Sequence, residues 1–241
     1  LMADITVPTT PRKAGLLYAQ KQPLIGNLVP TFGIKNAIYH FGNGSVVSRY
    51  TFSEDGNPQD TGAGANPITA MVDCERVDGH ADYARKGNGT TSYMSTGNTA
   101  GITAAYARTE LMLYTPHNLT AGIRYIKVYG NYCIYTEGTR LKEGEQEAIY
   151  DTGYDCQLNK TTYIAVRYDG TTLTVFSGSN VFSEVYRTVA TFNTTAGNLY
   201  FLRNSTAANY NAATMQFYEL ITYAMSDEEI YQSANDFIIP C

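Results

Sequence analysis

The sequence predicts an all-β chain, an antiparallel sandwich with one short helix near its C-terminus. Three observations carry this. Residues 163–168 (Tyr-Ile-Ala-Val-Arg-Tyr) and 171–176 (Thr-Thr-Leu-Thr-Val-Phe) are β-rich runs joined by Asp169-Gly170. Asp-Gly between such runs signals a hairpin, because a two-residue type I′ loop needs positive φ at both positions. Gly (21) and Tyr (21) are abundant while charged residues are only 16%, a balance of turn formers and strand formers. Finally, Ser226-Asp227-Glu228-Glu229 spells a helix start directly after a strand-like run.

From the N-terminus, residues 1–40 stand apart. Pro8, Pro11, Pro23 and Pro30 interrupt short apolar pieces, which disfavours helix interiors and central strands. The Leu and Ile content is too high for a disordered linker. An extended arm lying on its own sandwich or on a neighbouring subunit is expected, the latter making a homo-oligomer. The sandwich then occupies residues 41–241. Residues 55–58 and 62–67 are loops. Strands are expected at 68–74, 101–107, 110–115, 123–129 and 131–135, with a tight turn at 129–132.

The Asp169-Gly170 hairpin tests itself. With a two-residue loop, Val166 faces Leu173 and Ile164 faces Val175, giving one apolar face. Arg167 then faces Thr172 and Ala165 faces Thr174, giving a mostly polar one. Residues 215–223 form a further strand. Ser226 and Glu229 complete a capping box, and Met225 and Ile230 occupy the two staple positions.

Tyr168-Asp169-Gly170 before a strand, the Asn-Leu-Tyr-Phe-Leu run at 198–202, and residues 217–230 (Phe-Tyr-Glu-Leu-Ile-Thr-Tyr-Ala-Met-Ser-Asp-Glu-Glu-Ile) together resemble the closing half of a laminin-G-like, concanavalin A-like jelly roll. Phe176-Ser177-Gly178 departs from the aromatic-valine-asparagine-glycine ending usual there, and the turn after Tyr223 is shorter. The resemblance implies a jelly-roll sandwich. Family members often bind calcium at the loop rim, which would draw on Asp151 and Asp155.

Composition limits the function. Net charge is −5 and no basic run exists, so nucleic-acid binding is not expected. No apolar run reaches the ~20 residues of a membrane helix, so no membrane insertion is expected. Cys74, Cys133, Cys156 and Cys241 lack zinc spacing. They read as buried thiols, or as bridges Cys133–Cys156 and Cys74–Cys241. Asn-x-Ser/Thr triplets begin at Asn43, Asn88, Asn118, Asn159, Asn193 and Asn204, and a Thr/Asn-rich surface without glycosylation accounts for them.

Catalytic patterns are missing. His40, His80 and His117 are isolated, and no Gly-x-Ser-x-Gly elbow exists. Glu143-Gly144-Glu145 has the alternate spacing of a glycosidase pair, but its polar setting reads as a solvated loop. Binding is the expected use. Tyr supplies contact area at low entropic cost, although Trp is absent. Two expected loops offer aromatic and polar groups for a glycan. One carries Tyr150, Asp151, Tyr154 and Asp155; the other carries Arg203, Asn204, Asn209 and Tyr210. The expectation is a non-enzymatic recognition or structural module, extracellular, on a cell surface or on a virion. Its partner would be a glycan or a neighbouring subunit, and no cofactor is needed beyond possible Ca2+.

Overall fold

Two antiparallel sheets lie face to face in the computed structural model, which describes residues 46–64, 66–79, 83–97, 107–145, 148–179, 182–192 and 197–238. The arm at 1–40, residues 101–106, His40, His80, Asn43, Asn193 and Cys241 lie outside them. The strands are β1 (Val46–Tyr50), β2 (Ile68–Val72), β3 (Glu75–Asp78), β4 (Tyr83–Lys86), β5 (Tyr93–Thr96), β6 (Arg108–Pro116), β7 (Ile123–Tyr129) and β8 (Tyr132–Glu137). They continue as β9 (Arg140–Glu145), β10 (Ala148–Asp155), β11 (Thr162–Tyr168), β12 (Thr172–Gly178), β13 (Phe182–Val189), β14 (Leu199–Phe201) and β15 (Ala213–Ile221). One helix is described, α1 (Asp227–Ile238). No described helix is long and apolar enough to cross a membrane.

An eight-stranded sheet runs β13-β12-β11-β6-β15-β4-β3, with β1 also pairing to β15. A seven-stranded sheet runs β10-β9-β8-β7-β14-β5-β2. Strand alternation divides each sheet's side chains between two faces. In the eight-stranded sheet Met112, Tyr114, Ile164, Val166, Leu173 and Val175 turn inward to the other sheet. Leu111, Leu113, Tyr163, Ala165 and Phe176 turn outward, where Met225, Ile230 and Ala234 cover them. A bulge between Met215 and Phe217 resets the alternation of β15, so Tyr218 and Leu220 point inward and Phe217 and Ile221 outward.

The capping box forms as read. Glu229 donates its backbone N–H to Ser226 Oγ at 3.2 Å, and Ser226 N–H donates to Glu229 Oε2 at 2.7 Å. Met225 and Ile230 are both buried, at 2% and 0% exposure, each adding about 1.5–3 kcal/mol of apolar burial.

The hairpin keeps its faces but changes its register. Val166 pairs with Val175 and Tyr168 with Leu173, two residues away from the two-residue-loop alignment. The cause is Asp169. Its Oδ1 accepts from the N–H groups of Thr171 and Thr172 at 2.9 and 2.7 Å, which favours a wider loop. An even shift preserves the alternation, so Ile164 and Val166 remain fully buried. The face expected to be polar is also corrected: Ala165 and Phe176 are at 0% exposure beneath α1.

Cys74, Cys133 and Cys156 are free thiols, so the Cys133–Cys156 bridge is not formed. Burial pushes each thiol up to about 12, which keeps it protonated and unreactive.

Candidate functional site

The outer face of the seven-stranded sheet can be read from its register. Residues directly opposite one another share a face. Ser95, Tyr200, Val128, Cys133, Gly144 and Ile149 therefore form one row across six strands. Tyr125, Tyr135, Lys142 and Asp151 form the next row. Ile123, Glu137, Arg140 and Asp155 form a third. The described helix packs on the other sheet. Tyr125 and Tyr135 rings lie 5.6 Å apart, and with Tyr200 they pack over Val128 and Cys133. Beside Tyr200, the Arg203 guanidinium lies 3.4 Å from the Tyr93 ring centroid and 4.9 Å from that of Tyr200. Four tyrosines and a stacked arginine thus line one side of the sandwich.

Charged groups frame the tyrosines. Lys142 Nζ pairs with Glu137 Oε2 at 2.5 Å, and Arg140 Nε and Nη1 lie 3.4 and 3.6 Å from Asp151 and Asp155. Only Gly suits position 144. Its φ is +144°, and a Cβ there would sit 2.1 Å from the Ala148 carbonyl oxygen.

The structure redistributes the residues expected to bind. Tyr150, Asp151, Tyr154 and Asp155 are in strand β10, not in a loop. Alternation sends Tyr150 and Tyr154 inward, where Tyr150 packs against the core and Tyr154 is 8% exposed. Asp151 and Asp155 remain on the outer face, both beside Arg140. Arg203, Asn204, Asn209 and Tyr210 are in a loop as expected. Asn204 Oδ1 accepts from the Ala208 N–H at 2.7 Å, and Asn209 is left-handed at φ 52°, so these two shape the loop. Arg203 alone of the four lies on the tyrosine rings. Tyr93, Tyr125, Tyr135, Tyr200 and Lys142 were not singled out by the sequence. The usable signal was tyrosine placed on the face opposite to the core positions.

Inside the sandwich is a second polar group. Glu143 and Glu145 are in strand β9, at 0% and 7% exposure, which corrects the solvated-loop reading. Glu143 turns inward in a row with Lys127 and Ile134. Opposite, Glu110 on β6 accepts from Lys127 Nζ at 2.7 Å, from Arg108 Nε at 3.1 Å and from the Tyr218 hydroxyl at 2.8 Å. Burial would raise the Glu110 carboxyl, but Lys127 and Arg108 hold it below the usual carboxylate range. Glu143 lacks such a match. Burial pushes it up to about 7, against the pull of Tyr132, Arg108 and Lys127. Arg108 and Lys127 lie 4.7 and 4.3 Å from the Tyr132 ring centroid, so aromatic faces take up the remaining charge. This cluster is closed off from solvent and joins the two sheets.

No group of three or more metal-ligating side chains occurs among the described residues. His117 is engaged on both ring nitrogens, at 2.7 Å from Asn159 Oδ1 and 2.7 Å from Thr214 Oγ1.

No family model matches the chain, and no curated protein matches it by sequence. Solved structures do. Domain 4 of AbnA, a GH43 extracellular arabinanase from Geobacillus stearothermophilus solved with arabinotriose, superposes with a TM-score of 0.63 at 16% identity, covering 79% of this chain and 98% of that one. The binding domain of Paraclostridial Mosquitocidal Protein 1 gives 0.62 at 13% identity, covering 78% of this chain and 51% of that one. The botulinum neurotoxin DC binding domain solved with SialylT gives 0.58 at 9% identity, covering 78% of this chain and 50% of that one. The chain thus spans nearly all of the arabinanase domain and about half of each toxin domain. At these identities the likeness is one of fold: a jelly-roll β-sandwich.

Proposed function

We propose that this chain is a non-catalytic glycan-binding module of the concanavalin A-like, laminin-G-like type. Its ligand lies across the outer face of the seven-stranded sheet. The observation that carries this is the set of half-buried tyrosines Tyr93, Tyr125 and Tyr200, with the buried Tyr135 at 6% exposure among them, on the outer face of the sheet that α1 does not pack on. Sugar rings present C–H faces that stack on aromatic rings, while their hydroxyls seek polar groups at the edge. Lys142, Asp151 and the 203–210 loop supply such groups.

Two further points support the reading. The arabinanase domain of similar fold was solved with arabinotriose, and a toxin domain with SialylT. The acids with glycosidase spacing, Glu143 and Glu145, face the interior, away from the proposed ligand. Work outside the cell belongs to the same proposal, since glycans of this kind are displayed there.

The test is titration of the full chain against immobilised and soluble oligosaccharides, with Tyr200→Ala and Tyr125→Ala beside it. Each substitution is expected to weaken binding by about tenfold, the worth of a stacked aromatic contact. Oligosaccharide binding that both variants retain in full would move the site elsewhere. An empty array at millimolar ligand would remove the glycan reading.

A further inference from the structure

Glu110 inside the sandwich accepts from Lys127, Arg108 and Tyr218. Asp60 accepts from the N–H groups of Arg49, Gly62 and Asn66 at 2.8 Å each, which orders its loop. Arg203 on the outer face is different.

Arg203 is the second residue past the end of β14. Leu202 takes a left-handed φ of 68° and turns its own side chain into the core. The next side chain is thereby sent to the outer face, onto Tyr93 and Tyr200. At 3.4 Å from the Tyr93 centroid the guanidinium lies against the ring face, where cation and π-system attract. Contact with both the Tyr93 and Tyr200 rings restricts how the fork can turn. Its Nε is buried and makes no hydrogen bond among the described residues. The other outward cations are already neutralised, Lys142 by Glu137 and Arg140 by Asp151 and Asp155. Among the described residues no carboxylate pairs with Arg203.

We infer that Arg203 selects a carboxylate-bearing sugar, a uronic or sialic acid residue, for the glycan that the tyrosine face binds. The inference rests on the glycan reading and adds the charge of the ligand. A planar, pre-positioned fork is matched to a carboxylate in a bidentate way that an ammonium is not. Long-range attraction contributes nothing here. The chain carries a net −5, so an anionic ligand gains no steering, and discrimination must come from this local cation. The tyrosines under the guanidinium also limit the entropy lost on binding, because the side chain is already held.

The experiment compares two ligand pairs by calorimetry on the full chain: trigalacturonic acid and its methyl ester, and sialyllactose and its methyl ester. Each ester keeps the ring and removes the charge. At least one acid is expected to bind about tenfold more tightly than its ester, and the difference should shrink with added salt. Arg203→Gln should abolish the preference, read as the ratio of acid to ester affinity within the variant, whatever it does to the affinity common to both. Arg203→Lys should restore it only in part. Thermal melting of both variants checks that they fold. Equal binding of acid and ester in both pairs, or a preference surviving in Arg203→Gln, overturns the inference and leaves the glycan reading intact. Failure of all four ligands, together with an empty array for neutral sugars, overturns both.

Discussion

Lys127 on β7 donates to Glu110 on β6 at 2.7 Å, and this bond crosses the interior from one sheet to the other. Both side chains are 1% exposed. Desolvating two charges is costly, and an apolar pair of similar volume would serve stability as well or better. Breaking the pair is another matter. Lys127→Ala leaves Glu110 with Arg108 and Tyr218 alone, and is expected to cost about 3–5 kcal/mol in urea unfolding. Lys127→Met with Glu110→Leu is expected to cost clearly less than the sum of the single changes. Additive losses would show that the two residues do not depend on each other.

Glu143 makes stability fall as pH rises. Its carboxyl is raised from the ordinary 4.5 to about 7 by burial. The folded chain therefore holds a proton that the unfolded chain has lost between these values. The stabilisation is full below about 4.5, declines through 7 and is gone above it, a total of roughly 3 kcal/mol. Arg108 and Glu110 from β6, Lys127 from β7, Tyr132 from β8 and Tyr150 from β10 face this group. Glu143→Gln stays neutral throughout. The difference between wild type and this variant, measured by denaturant unfolding from pH 4 to 8.5, is expected to shift in the variant's favour between about 4.5 and 7 and to level off above. A flat difference would mean that Glu143 does not titrate there.

Sequence alternation carried the fold further than the site. Ile164 and Val166 repeat at period two within one strand, so their shared burial follows from neighbours in the chain alone. The pairing across the hairpin did not follow, because it depends on which amides the Asp169 carboxylate captures. Glu143 departs from the solvated-loop expectation for a related reason. Its surroundings in sequence are Gly, Lys and Glu, whereas Lys127 and Arg108 reach it from strands distant in the chain. The tyrosine face is more remote still. Tyr135, Tyr125, Tyr200 and Tyr93 belong to four strands whose order, β8-β7-β14-β5, is settled only by the packed sandwich.

The capping box offers a local test of how α1 seals the eight-stranded sheet. Ser226→Ala removes the acceptor of the Glu229 N–H and is expected to cost about 1 kcal/mol. Ser226→Asp should recover most of it, since an acid at the helix start also suits the dipole. Thermal melting measures both. A neutral Ser226→Ala would mean that Met225 and Ile230, buried on either side of the cap, hold the helix without it.

Calcium is expected to bind this chain weakly at most, and Arg140 is the reason. Asp151 and Asp155 stand on one side of β10 and share a single guanidinium, while Thr139 Oγ1 donates to Asp155 Oδ1 at 2.6 Å. A calcium ion needs six to eight oxygens at about 2.3–2.6 Å, and it would have to expel a cation already positioned between the two carboxylates. Millimolar calcium or a chelator should therefore leave the melting temperature of the wild type within about 1 °C. All three side chains are partly exposed, so Arg140→Ala should cost no more than about 1 kcal/mol. It frees the two acids, and any calcium-dependent rise in melting temperature should appear in this variant alone. A rise in the wild type would instead mean that the ion displaces Arg140 and organises the β9–β10 edge itself.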